Sequence, residues 1–192
     1  MEFEVIQRDA TARMGTLSLD SSLIHTPAIA WYASSRHRPP PFAQLYLSQD
    51  DNHPALHHTG SFYCPSQKSG LSIPPAFVYP AALPKEIHKI AATWNYEQAD
   101  DIAIISSQEL ETVSHHSTLY IMANARELFA NPHTFVDAVT AVRSAIGPQS
   151  VLYTPGLGRP DELALLAYCT VDLVDSLSLI EEARGCQYLS LQ

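Results

Sequence analysis

The strongest constraint on the fold is an alternation in the second half of the chain. Strand-sized apolar runs at 118–122, 150–154 and 171–174 are separated by two segments of helical period. The first, opened by Asn131-Pro132, repeats Phe135, Ala138, Val139, Val142 and Ile146 along one face and stops at Gly147-Pro148. The second runs from Pro160 to Tyr168, with Asp161 and Glu162 where the positive N-terminal end of a helix favours carboxylates. Proline suits a first helical turn, and glycine the position just past the last. Strands that alternate with helices pair in parallel through right-handed crossovers, because each helix must pack back onto the sheet. The expected class is therefore α/β.

Upstream the pattern is thinner. Phe3 to Leu19 alternates apolar and polar residues about Arg8-Asp9-Ala10, which predicts a β-hairpin within residues 1–25. Thr26 to Ser34 reads as a buried strand, ended by Arg36-His37-Arg38 and three prolines that forbid a helix. The rest of 26–82 is irregular, with short apolar pieces at Phe42–Leu47 and Phe77–Tyr79. A helical pattern resumes at Pro84 and reaches Asp100 through Ile87, Ile90, Ala91 and Trp94, before an Ile-rich strand at Asp101–Ser106. Residues 83–190 thus read as strand and helix units, and 192 residues suit a single domain.

Composition narrows the function classes. Hydrophobic residues at 46% and charged residues at 16% suit a buried core rather than a disordered chain. No run approaches the ~20 apolar residues of a membrane span. The acidic start Met1-Glu2-Phe3-Glu4 is unlike the basic, then apolar, opening of a signal peptide, so a soluble cytoplasmic protein without membrane partners is expected. Cys64, Cys169 and Cys186 have no CxxC spacing, which points to reduced thiols and not to disulfides or structural zinc. A net charge of −9 argues against gripping nucleic acid through overall charge, so any RNA contact must be local or shared with a partner.

One long segment is more specific. Tyr153-Thr154-Pro155-Gly156-Leu157-Gly158-Arg159-Pro160-Asp161-Glu162-Leu163, followed by Val171-Asp172-Leu173-Val174-Asp175-Ser176, resembles the C-terminal barrel units of tRNA-guanine transglycosylases. Those units run strand, Gly-x-Gly turn, proline, acidic helix start and hydrophobic strand ending in aspartate. Further stretches are similar to the N-terminal transglycosylase-like domain of archaeosine synthases, archaeal enzymes acting on a nitrile-bearing 7-deazaguanine in tRNA. They are Leu119–Leu128 with its small turn Ala123-Asn124-Ala125, then Ala145–Pro148 and Ala183-Arg184-Gly185. The resemblance implies a TIM-type β/α barrel, reduced or partial, with an N-terminal β-hairpin. It also implies Asp175 at the nucleophile position on the catalytic rim, with Asn124, Arg126, Gly156 and Gly158 on the substrate side and no cofactor. Arg36 and Arg38, just after the first strand, are the candidate phosphate contacts.

The departures shape the expected role. Base-exchanging relatives carry a second aspartate in an Asp-Ser-Gly-Gly-Phe-Gln segment, a zinc site of three cysteines and a histidine, and an RNA-binding domain. The amidine-forming core of archaeosine synthases carries Pro-Cys and Lys-Pro-Tyr. This sequence has none of these, and Tyr63-Cys64-Pro65 has the reverse order. The expectation is a tRNA-modification module that binds tRNA weakly alone. It would orient tRNA or its base for a partner chain or domain bearing the RNA-binding and catalytic core. Two other readings stay open: a small transferase-like barrel enzyme acting on a glycosidic bond through Asp175, and a non-catalytic interaction scaffold.

Plainer roles compete for several residues. Asp175 can equally cap a turn, and Asp172 suits local polar structure. His53, His57, His58, His115 and His116 read as solvated, because no cysteine or carboxylate pattern completes a metal site with them. Cys64 has only the distant Lys68 to lower its pKa.

Overall fold

The computed structural model describes residues 1–19, 22–32, 38, 40–48, 55–58, 71–73, 102–105, 107, 110, 117–122 and 124–184. The expected hairpin is present as β1 (Glu2–Asp9) and β2 (Ala12–Leu19), turning at Ala10 and Thr11. A third antiparallel strand, β3 (Ser22–Thr26), pairs with β2 and makes a three-stranded sheet in the order β1-β2-β3. Its alternation is masked in the sequence because Leu23, an apolar residue, occupies the exposed face while Ile24 takes the buried one.

Eight further strands form one parallel sheet. They are β4 (Ala28–Tyr32), β5 (Leu45–Ser48), β6 (Ala55–His58), β7 (Leu71–Ile73), β8 (Ile102–Ile105), β9 (Leu119–Met122), β10 (Val151–Tyr153) and β11 (Leu173–Asp175). Their spatial order is β7-β6-β5-β4-β11-β10-β9-β8, with all described pairings parallel. The first strand of this set lies beside its last: Ala30 of β4 registers with Asp175 on one side and with Leu45 on the other. β4 answers to the strand expected from Thr26, and the stretch after it, expected to be irregular, contributes three short strands, β5, β6 and β7. The described pairings do not include β7 with β8.

Four described helices accompany these strands: α1 (Ala125–Phe129), α2 (Pro132–Ile146), α3 (Pro160–Tyr168) and α4 (Leu177–Arg184). The side-chain carbonyl of Asn131 accepts the His133 and Thr134 N–H groups at 3.1 and 3.4 Å, satisfying two donors that α2 cannot bond internally. Gly147 ends α2 at φ 80. Phe135, Val139, Val142 and Ile146 are buried, each such burial contributing about 1.5–3 kcal/mol. α1 and α4 were not anticipated, because one or two turns are too short for a helical period to emerge. The helical pattern from Pro84, the apolar piece at Phe77–Tyr79 and the residues Arg36, His53, Cys64, His115 and His116 lie outside the described residues. No helix among the described residues is long and apolar enough to cross a membrane.

Strand periodicity sorts the core into two layers. Leu119, Ile121, Val151, Tyr153 and Leu173 pack with Leu17, Leu19 and Ile24 of the small sheet. The intervening Tyr120, Met122, Leu152 and Val174 pack with the helices. Arg13 of β2 reaches Pro148, Ser150 and Asp172, just before β10 and β11 begin, so the small sheet covers the N-terminal end of those strands.

Candidate functional site

The opposite, C-terminal end gathers the residues singled out by the sequence. Asp175 closes β11 on the same face as Leu173 and is wholly buried. Its Oδ2 accepts the Tyr153 hydroxyl at 2.7 Å and the Gly156 N–H at 2.9 Å. Two neutral donors on one oxygen fix the plane of the carboxylate. Such a group can act as a nucleophile or stabilise a developing positive centre.

The glycine turn is shaped around that carboxylate. Gly156 sits at φ 73, and Gly158 at φ 155 passes so close to β11 that an added Cβ would overlap the Asp175 carbonyl oxygen. Only glycine meets both demands. Glu162, buried in the first turn of α3, accepts the N–H groups of Gly158 and Arg159 at 2.9 and 3.0 Å. Arg126 donates from Nη1 to the Gly156 carbonyl at 2.6 Å. The Gly156 peptide is thereby held by Asp175 through its N–H and by Arg126 through its carbonyl.

Asp175, Arg126, Gly156 and Gly158 are thus brought together. Asn124 follows β9 at the same end and donates to the Ser107 hydroxyl at 3.1 Å. Four buried side-chain oxygens lack a hydrogen-bond partner among the described residues: Thr26 Oγ1, just before β4, and Asn124 Oδ1, Thr154 Oγ1 and Ser178 Oγ, each a short step past β9, β10 or β11. Buried polar atoms are normally matched, so the last three mark the C-terminal end as a place where a bound molecule or water would supply partners. Arg38, between β4 and β5, is exposed, and no described contact links it to this cluster. Of the missed residues, Glu162 was findable, since it stands three positions after the helix-preceding Arg159 as in a capping box. Tyr153 was findable from strand parity, which puts it on the face of Val151 and Leu173.

Asp172 occupies the other end and has other partners. It accepts Arg13 Nε at 2.8 Å, Arg143 Nη2 at 2.9 Å and the Leu152 N–H at 2.8 Å. Burial pulls the Arg143 guanidinium down to about 10, against the pull of Asp172 in the other direction. This is a structural ion network, as expected for Asp172. A cavity of about 210 Å³ lies nearby, between α3 and strands β4 and β11, lined by Pro27, Ile29, Leu163, Leu166, Val171 and Val174. Its lining is apolar apart from Asp172, and Asp175 does not line it. Burial raises the Cys169 thiol above its usual pKa, which lowers the share of the nucleophilic thiolate.

No family model matches this chain. Archaeosine synthase subunit alpha of Methanosarcina acetivorans is 28% identical to it over 90% of the chain. The chain spans 29% of the length of that relative.

Proposed function

We propose that this chain is a transglycosylase-like module of tRNA modification, in the archaeosine or 7-deazaguanine pathway, that presents tRNA or its base to a partner carrying the chemical core. The observation that carries the reading is the Tyr153-Asp175-Gly156 arrangement: a buried, pre-oriented carboxylate at the C-terminal end of a parallel strand, where β/α enzymes keep their functional groups. The similarity to archaeosine synthase subunit alpha supports it. The order of the eight strands supports a β/α barrel, since it is the chain order rotated, with β4 beside β11. Shared use of a partner follows from chemistry: glycosidic exchange needs one group on the sugar carbon and another on the base's protons.

The test is an exchange assay on purified protein with modified tRNA and labelled guanine. The expected result is no incorporation by the chain alone, with tRNA bound weakly. Incorporation that disappears in Asp175→Asn would instead favour the second reading, a small enzyme acting on the glycosidic bond. That reading draws on the same buried carboxylate. A log-log salt slope of tRNA binding steeper than about −5 would contradict the weak, local contact proposed for so acidic a chain.

A further inference from the structure

The described arginines differ in how their donors are spent. Arg13 directs Nε, Nη1 and Nη2 to Asp172, Pro148 and Ser150. Arg143 directs all three nitrogens to Thr170, Ser150 and Asp172. Arg159 is paired with Asp161 and Glu182. Arg126 is half-buried yet makes a single described hydrogen bond, from Nη1 to the Gly156 carbonyl. Among the described residues no carboxylate pairs with it.

Its stem is also held in place. The Arg126 Cδ packs over Gly156, 3.3 Å from where a Cβ on that residue would stand. A guanidinium has five N–H donors in a rigid fork, and one carbonyl uses one of them. The Nε–Nη2 edge matches the paired oxygens of a phosphate. Because the side chain is already ordered, little rotamer entropy remains to be lost on binding.

Resting on the RNA reading above, we infer that Arg126 is the phosphate contact of this site, gripping one backbone phosphodiester of the RNA whose nucleotide faces Asp175. This moves the phosphate contact from the exposed Arg38 to the turn that holds Asp175. It also accounts for how a chain of net charge −9 engages RNA: through one pre-ordered cation and not through a basic surface.

The experiment measures binding of an unmodified tRNA transcript at several salt concentrations, for the wild type, Arg126→Met, Arg126→Lys and Arg159→Met. Arg126→Met should make the log-log salt slope shallower by about 1 and weaken binding roughly fivefold at physiological salt. Arg126→Lys, which keeps the charge and loses the fork, should keep the slope and bind more weakly. Arg159→Met, whose charge is already compensated, should keep the wild-type slope. Circular dichroism checks that each variant is folded, and the lysine variant keeps the test open if the methionine variant is not. Wild-type binding with an unchanged slope in Arg126→Met overturns the inference. No tRNA binding by the wild type overturns the RNA reading beneath it, a separate and distinguishable failure. A third arm adds inorganic phosphate. A rise in melting temperature in the wild type but not in Arg126→Met, with tRNA binding indifferent to the variant, assigns the site to small phosphate esters and also overturns the inference.

Discussion

Two buried aspartates three residues apart, Asp172 and Asp175, are solved by the fold in opposite ways. Asp172 is met by two guanidiniums and a backbone N–H at the end of the sheet covered by β1, β2 and β3. Asp175 is met on Oδ2 by a phenol and a glycine N–H, at the end where three buried side-chain oxygens lack partners among the described residues. Two guanidiniums make Asp172 a structural tie between distant segments. The two donors on Asp175 Oδ2 are neutral and orient the carboxylate. The strand itself is the same, so the difference is made by what surrounds each end.

The largest expected effect is at Asp172. Asp172→Ala leaves Arg13 and Arg143 as desolvated cations without their carboxylate, and removing one partner of a buried ion pair costs about 3–5 kcal/mol. Urea denaturation should show a loss of that size, and melting should shift accordingly. A loss below about 1 kcal/mol would mean that water or carbonyls already carry those charges, and the contrast between the two ends would weaken.

Next in size is Gly158→Ala. A left-handed or otherwise restricted backbone costs on the order of 1–3 kcal/mol for a residue with a side chain, and here the methyl also meets the Asp175 carbonyl. The turn must move away from β11 to relieve the overlap. Stability should fall by about that amount, and tRNA binding should fall beyond what unfolding explains. A variant with reduced stability but wild-type binding would separate the turn from the site.

How much of this was legible in the sequence depended on element length. The fifteen residues of α2 and the apolar strands β9 and β10 announced themselves, because several turns or a fully buried run give a clear period. α3 was read to the residue from its proline and acidic start. Strands β5, β6 and β7 are three or four residues long, too short for parity to separate strand from loop. The gathering of Asp175, Gly156 and Gly158 at one end was inferred from a motif, and their contacts agree with that gathering. The Arg13–Asp172 link joins residues 159 positions apart, so no local pattern could reveal it. The same holds for Arg126 and Gly156, whose contact depends on two adjacent strands being in register.

The smallest expected effect on stability is at Asp175, although it sits at the centre of the proposed site. In Asp175→Asn the amide oxygen can still accept the Tyr153 hydroxyl and the Gly156 N–H, so both hydrogen bonds survive as neutral pairs. Losing the negative charge weakens them, since charged acceptors bond more strongly. It also removes the cost of holding a charge in a buried site, and the two changes oppose one another. Through these two hydrogen bonds the change should be about 1 kcal/mol or less, within the usual worth of a single hydrogen bond. Urea denaturation of Asp175→Asn beside Asp172→Ala measures it under one set of conditions. If Asp175→Asn costs as much as Asp172→Ala, then Asp175 is a structural carboxylate like its neighbour. A near-neutral stability change accompanied by weaker engagement of tRNA or its base marks a charge kept for its ligand and not for the fold.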